Sequence, residues 1–549
     1  MKKFSRVALL ATTTLFLAAC DGDDGLDGAD GANGADGSDG LNSLVAFRDL
    51  AVGDVDCLGG GQVFESGLDT NGNNVLDPEE VLSKEFIECA VTPTLRALHA
   101  SPDAPLVNIW IDGDPALPLV DFNQGSGFVK VGQAANVTET GADVNVQVEA
   151  ILPGDDGVVL DADLPLAFGT ETTVIASGTI EGEDFGPILV TNPIGAPIAA
   201  GNFRAQVVHA APNAPAVDVY VTALDGALEG PVNGAAPLAF GVSTGQLEVL
   251  AGDYQIRVAV PNPGGEPTVV YNSGEISLPA GVDLMIVATE NVFLGESAVQ
   301  LMVLDGMAAT PLYDAATPAA ALAVHLSPDA DAVDILADVG STAETEALKL
   351  VENVSYTDFC ALESIGAPED YTLSVVATGD TTSVLDIPYS AVVNEATAVI
   401  VSGLVSTSTL QAIALPIDGR SVFTEAKIRL THGSPSTPNV DIYLLPEGTA
   451  IGDEGADPAF TNVAFGAATP VLSIDPSVNY DVYVTATGDT TPAISVTGFD
   501  TTPGQILDIV ARDADDSGEE VGPQVLVIDY DALDACVVGL QAIIIAQSQ

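Results

Sequence analysis

Residues 203–222 read FRAQVVHAAPNAPAVDVYVT. Val217, Val219 and Val221 alternate with Asp218 and Tyr220, the period of a strand with one buried and one wetted face. Upstream, Phe203, Ala205 and Val207 lead with the same period to His209, and a proline turn separates the two runs. The stretch therefore predicts strand, turn, strand, with the histidine continuing an apolar face.

The plan recurs. LRALHASPDAPLVNIWID (95–112), ALAVHLSPDADAVDILAD (321–338) and KIRLTHGSPSTPNVDIYLLP (427–446) align with it, without gaps from the histidine onward. His99, His209, His325 and His432 are the chain's four histidines, 110, 116 and 107 residues apart. Nine residues after each stands Asn108, Asp218, Asp334 or Asp441. A second strand-after-turn element recurs at ADVNVQV from Ala142 and at Tyr254, Tyr371 and Tyr480, where a tyrosine suits packing with its hydroxyl on backbone. Valine, threonine and isoleucine abound, Gly and Pro punctuate every eight to twelve residues, and helical periodicity is scarce. Units of about 110 residues with seven or eight short strands predict antiparallel β-sandwiches. The expected boundaries are 93–200, 201–316, 317–422 and 423–549, four sandwiches strung in a rod.

The motif H-x-[SA]-P-[DNS]-x-x-x-V-[DN]-[IV] resembles the bacterial family named domain of unknown function 4397, over about 93–549 in four copies. Copy three lacks the second proline, and copy four has Ser436 at the acidic position. The resemblance implies secreted or lipid-anchored proteins built of tandem immunoglobulin-like or transthyretin-like sandwiches. It implies fold and compartment, and no chemistry.

The N-terminus points to the same compartment. MKKFSR is a basic start, VALLATTTLFLA an apolar run, and Leu17-Ala18-Ala19-Cys20 resembles a lipobox, so 1–19 reads as a signal segment and Cys20 as the lipidated residue. Loss of Lys2, Lys3 and Arg6 takes the formal charge from −64 to −67, so lipid rather than electrostatics must hold the chain to an anionic membrane. Residues 20–42 then form an acidic Gly-X-Y tether; without proline it reads as a flexible spacer rather than a triple helix. The expected location is the cell envelope, outside the cytoplasm. With 78 acidic against 14 basic residues, nucleic acid is excluded as a partner. The strong net charge favours a monomer.

Residues 43–92 read as a small module closed by a Cys57–Cys89 disulfide, and it resembles the Cys-rich, Asx-rich modules that often follow such tethers in marine bacterial lipoproteins. Cys360 and Cys536 either link two repeats or remain free thiols. Within the module, DTNGNNVLDPEE (69–80) fits a calcium-loop template. Asp69, Asn71, Asn73, Asp77 and Glu80 offer side-chain oxygens and Val75 its carbonyl, a set suited to structural Ca2+. Asn74 stands where glycine makes the sharp turn, and asparagine tolerates a left-handed backbone. Pro78 followed by EEVLSKEFIEC predicts an exit helix, so the loop resembles half an EF-hand.

Catalytic sets fare poorly. Ser101 and Ser327 follow their histidines, but Ala211 takes that place in copy two. One histidine per repeat cannot assemble a metal cluster, and the acidic run Asp513, Asp515, Asp516, Glu519, Glu520 reads as a solvated turn. The four histidines are therefore expected to be structural, each meeting an Asp of a neighbouring strand or a turn amide. The resulting expectation is a non-enzymatic envelope protein for adhesion, scaffolding or binding of a surface protein or glycan. The rivals are an extracellular hydrolase and a carbohydrate-binding protein, the latter carried only by Trp110.

Overall fold

The computed structural model describes residues 40–530 apart from 53, 58, 132–136, 139, 155–156, 339–347, 366–368 and 515–521. The signal segment, Cys20, the tether up to residue 39, Asp515, Asp516, Glu519, Glu520 and Cys536 lie outside the described residues. Two compact units divide the chain: Met1–Arg48 with Phe64–Glu85, and Asp49–Val63 with Phe86–Gln549. Among the described residues the regular structure is β throughout, apart from one 3-10 turn at Pro78–Glu80. No helix among them is long and apolar enough to cross a membrane.

Strands β1 (Asn42–Leu50), β2 (Gly61–Asp69) and β3 (Val81–Cys89) form a three-stranded sheet in that order. Cys57 and Cys89 are bonded, as their spacing suggested. The expected exit helix is absent. Pro78–Glu80 makes a single turn and the chain enters β3 at once, so the 69–80 loop joins two strands of one sheet. VLSKEFIEC carries apolar residues at a spacing that a helix also uses, and pairing in the sheet settles it as a strand.

The remaining chain builds four two-sheet sandwiches. In repeat 1, β4 (Thr94–His99), β5 (Val107–Ile111), β6 (Asp114–Val120), β7 (Val129–Lys130), β8 (Gly141–Ala150), β9 (Gly157–Ala167), β10 (Thr170–Ser177) and β11 (Gly186–Pro193) divide into sheets β11-β10-β4-β7 and β6-β5-β8-β9. Their facing sides bury Leu95, Ala97, Val107, Ile109, Val144 and Val146. Repeats 3 and 4 repeat this plan with four strands per sheet, whereas repeat 2 divides them five and three.

Among the described residues, pairing is antiparallel with one exception per repeat. The histidine strand lies parallel to a late strand: β4 with β10, Asn202–His209 with Asp283–Glu290, Ala319–Leu326 with Ala396–Ser402, and Ala426–His432 with Ile506–Arg512. That strand is buried on both faces, and its buried positions include charged side chains such as Arg96, Arg204, Lys427 and Arg429 beside the apolar ones. One face lines its own sandwich. The other packs on the next repeat: Leu98, Ala100 and Ile175 of repeat 1 meet Val208, Ala210, Met285 and Val287 of repeat 2. Repeats 3 and 4 do the same through Val324, Leu326 and Ile400 against Val510, Leu526 and Ile528. A hydrogen bond marks both junctions at equivalent places, from Ser177 Oγ to the Ala210 carbonyl (2.8 Å) and from Ser402 Oγ to that of Gly433 (2.6 Å). Instead of the end-to-end string that the repeat spacing suggested, the sandwiches pair face to face, 1 with 2 and 3 with 4.

Several contacts tie the second pair to the first, among them the Phe423 amide on the Asp103 carbonyl (2.9 Å), the Leu294 amide on Asn394 Oδ1 (3.2 Å) and one arginine. Arg420, after the last strand of repeat 3, donates to the carbonyl of Ala104 (2.7 Å) and to Asp121 (2.6 Å), with its guanidinium 5.7 Å from the centre of the Phe122 ring.

Candidate functional site

Two places drew the sequence reading, the 69–80 loop and the repeated histidine. In the loop, Gly72 and Asn74 take left-handed conformations (φ 74° and 58°), as expected for Asn74. Asp69 and Glu80 turn inward, each 3% exposed. Asp69 accepts the amides of Gly72, Asn73 and Asn74 at 2.6–3.1 Å. Glu80 Oε1 accepts the amide and hydroxyl of Thr70 (2.7 and 2.8 Å) and the Asn71 amide, and Oε2 accepts that of Asp77. The Thr70 hydroxyl, with these amides, holds the Glu80 carboxyl below its usual range. Asp77 Oδ2 receives the side-chain amides of Asn71 (2.7 Å) and Asn73 (2.8 Å). Val75 is bound through its amide to Asn73 Oδ1. The template residues thus converge, with their oxygens spent on the loop's own N–H groups. No group of three His, Cys, Asp or Glu side chains placed to hold a metal occurs among the described residues.

The four histidines share one geometry. Each is at most 1% exposed. Nε2 lies 3.0–3.2 Å from the carbonyl six residues on, at Pro105, Pro215, Asp331 and Pro438, so the missing proline of copy three changes nothing in the bond. A carbonyl only accepts, so Nε2 carries the proton. Nδ1 then accepts the amide two residues on, from Ser101, Ala211 and Ser327 at 3.2–3.3 Å. In copy four Nδ1 has no partner among the described residues. Both nitrogens of a ring held this way favour neutral imidazole. Burial lowers all four pKa values, that of His99 to about 4.

An aromatic edge completes each lock, and the sequence reading missed it. Phe122, Phe240, Tyr356 and Phe465 stand T-shaped to the rings at 6.1–6.4 Å. The residue after each aromatic donates its amide to the histidine carbonyl, and the one after that accepts the histidine amide. The first of these, Asn123, Gly241, Thr357 or Gly466, has φ between 62° and 83°. A β-branched Thr357 in that region is strained, and the lock holds it there. A Phe or Tyr 23 to 33 residues after each histidine was the available signal.

The repeated Asn or Asp nine residues on serves elsewhere. Rather than touching the ring, Asn108, Asp334 and Asp441 accept the amides of Leu119, Asn353 and Asn462, all left-handed (φ 53–57°), and so pin a bulge in the edge strand. Asp218 accepts from Asn233 instead. The fifth motif position closes another tie. Asp103 and Asp329 accept two backbone amides each from a turn 76–78 residues on. In copies two and four the acid comes from the far side, Glu290 to Asn213 and Asp513 to Ser436. Ser101 Oγ donates to the Gly178 carbonyl (2.8 Å), which leaves no free nucleophile beside His99. Tyr254 places its hydroxyl on the Leu250 carbonyl, the backbone-capping role expected of it. Trp110 donates its indole N–H to Glu149 (3.2 Å).

These features define an array of β-sandwiches, each closed by a buried neutral histidine and joined in face-to-face pairs. The family described as domain of unknown function DUF4397 matches residues 93–220 and 319–443, and the domain of unknown function DUF7151 matches 42–89. The tandem repeats are thus DUF4397-like. Each DUF4397 match runs from one histidine strand through the next copy's motif, enclosing His99 with His209 and His325 with His432, the same pairs that share an interface. No curated protein matches the chain. Among solved structures, the product complex of the multi-modular glycogen-degrading pneumococcal virulence factor SpuA aligns at 10% identity and a TM-score of 0.14. It covers 73% of this chain, which spans 37% of that one, and carries no argument.

Proposed function

We propose that this chain is a non-enzymatic, lipid-anchored protein of the cell envelope whose sandwiches serve in adhesion, scaffolding or ligand binding. The supporting observation is that the repeated histidine and serine are consumed in the fold: the ring nitrogens hold a turn, and the Ser101 hydroxyl holds Gly178. Cys20 carries the anchor in this reading. In a bacterial host that processes lipoproteins, a fatty-acid label should enter the full chain and partition it with membranes. Cys20→Ser should lose the label and the membrane fraction; a labelled, membrane-bound Cys20→Ser protein would contradict the anchor. Hydrolysis of a chromogenic ester or glycoside by the full chain, lost on Ser101→Ala, would favour the hydrolase instead.

The same reading gives the N-terminal unit a structural calcium ion. The support is donor chemistry, five oxygen-bearing side chains at alternate or terminal places of one short loop. Asp69, Asn71, Asn73, Asp77 and Glu80 would hold the ion with the Val75 carbonyl, in competition with the amides these groups now accept. Calcium should raise the unfolding temperature of the full chain and slow amide exchange across 69–80. Glu80→Gln should abolish both responses, and an unresponsive wild type would refute the site.

A further inference from the structure

Repeats 1 and 2 enclose a cleft of about 220 Å3 beside their shared core. Its wall holds Arg96, on β4 three residues before His99 and only 5% exposed. The guanidinium lies 4.4 Å from the centre of the Phe128 ring, and Nε donates to Thr173 Oγ1 at 2.8 Å. Among the described residues, Nη1 and Nη2 have no hydrogen-bond partner, and no carboxylate comes within the 4.0 Å of an ion pair.

Repeat 4 shows what such an arginine does when its role is structural. Arg429 also stands three residues before its histidine, and the strand beside it places Asp508 opposite. Asp508 takes Nε at 2.7 Å and Nη2 at 2.5 Å, a two-pronged grip that neutralises the buried charge. The matching register in repeat 1 sets Thr173 opposite Arg96. Repeat 1 therefore keeps the arginine without its acid. A buried cation without a paired carboxylate is costly, and a neutral side chain would fill that place without the cost.

The rest of the wall decides what fits. Asp283 is already paired with Arg204 (3.0 Å), and Asp305 accepts the amides of Met307 and Ala308. Glu171, two residues before Thr173 on the same strand, has no hydrogen bond or ion pair among the described residues. Burial, with Asp283 nearby, raises its pKa, and burial lowers that of Arg96 to about 10. A simple anion entering the cleft meets three carboxylates. A simple cation meets Arg96. A molecule with both charges answers each, and the volume suits something smaller than a drug-sized ligand.

We propose that this cleft binds a small zwitterion of the amino-acid type, its carboxylate on Nη1 and Nη2 of Arg96 and its ammonium on Glu171. This rests on the binding reading above and names its ligand class. The test is calorimetric titration of the full chain with each of the twenty common amino acids, with acetate and methylammonium as single-charge controls. At least one amino acid should bind and neither control should match it. Thr173→Asp supplies the acid that repeat 4 has, so it should fold and weaken binding about 100-fold. Should that variant misfold, Arg96→Met reads the same loss. No binding by wild type, equal binding of a control, or affinity unchanged in Thr173→Asp and Arg96→Met would overturn the site. The Cys20→Ser membrane partition is independent of all of these, so failure here leaves the anchor standing.

Discussion

His99→Ala should cost the folded chain about 3–5 kcal/mol, the largest loss from any single histidine. The ring is fully buried, so truncation leaves a cavity. It also strands the Pro105 carbonyl and the Ser101 amide in the interior, each an unmet hydrogen bond. Phe122 loses its edge contact at 6.3 Å, and through Phe122 the change reaches Arg420. Denaturant unfolding of the full chain reads the loss. Acid supplies a second readout. The folded pKa of His99 is pulled to about 4 from an ordinary 6.5, so between these values the unfolded chain binds the proton and the folded chain does not. Stability is therefore whole above pH 6.5 and falls as pH drops towards 4, by on the order of 3 kcal/mol for this residue. The other three histidines act in the same direction. Carboxylates held low, such as Asp329 and Asp334 at about 2, add their own loss only below the ordinary carboxylate value of 3.8. His99→Ala should flatten the slope between pH 6.5 and 4, and an unchanged slope would argue against a neutral buried ring.

The second large effect is Asp508→Asn, expected to destabilise the paired repeats 3 and 4 by about 3–5 kcal/mol. The side chains of Arg429 and Asp508 are 6% and 2% exposed, so the substitution leaves a guanidinium uncompensated in the interior. Asn keeps one acceptor oxygen where Asp508 uses two, so either Nε of Arg429, or its Nη2 together with the Tyr530 hydroxyl that donates to Asp508 at 2.6 Å, loses its acceptor. Burial, with Asp508 beside it, pushes that hydroxyl's pKa well above the ordinary tyrosine value. The apolar double replacement Arg429→Met with Asp508→Leu should recover most of the loss, because the pair's desolvation cost vanishes with it. If Asp508→Asn alone is neutral by denaturant unfolding, the pair is not holding the sheet. The comparison with Arg96 would then lose its basis.

Strand alternation at Val217–Val221 and the fourfold spacing of histidines made the sandwiches legible, because period two and repeat length are local in the chain. The Cys57–Cys89 pair was equally plain from proximity. Other features depend on contacts across distant segments. The parallel partner of each histidine strand lies about 80 residues away, and which amide meets the ring is decided by the proline turn's shape. Of the two ring partners expected, a neighbouring strand's Asp or a turn amide, the turn amide serves, and the residue nine positions on instead pins a left-handed residue in the edge strand. Face-to-face pairing had one trace in the sequence, the doubly apolar character of strands such as Ala319–Leu326. The Arg96 cleft had a fainter one. Only alignment of Arg96 with Arg429, and of Thr173 with Asp508 across the sheet, reveals the missing acid.

The most direct test of the structural role of the histidines is long-range 1H–15N correlation of the four imidazoles across pH 7.5 to 4.5. All four should hold the Nε2–H tautomer and protonate below the ordinary imidazole value of 6.5, His99 near pH 4. A ring that titrates near 6.5, or that carries its proton on Nδ1, would contradict the account.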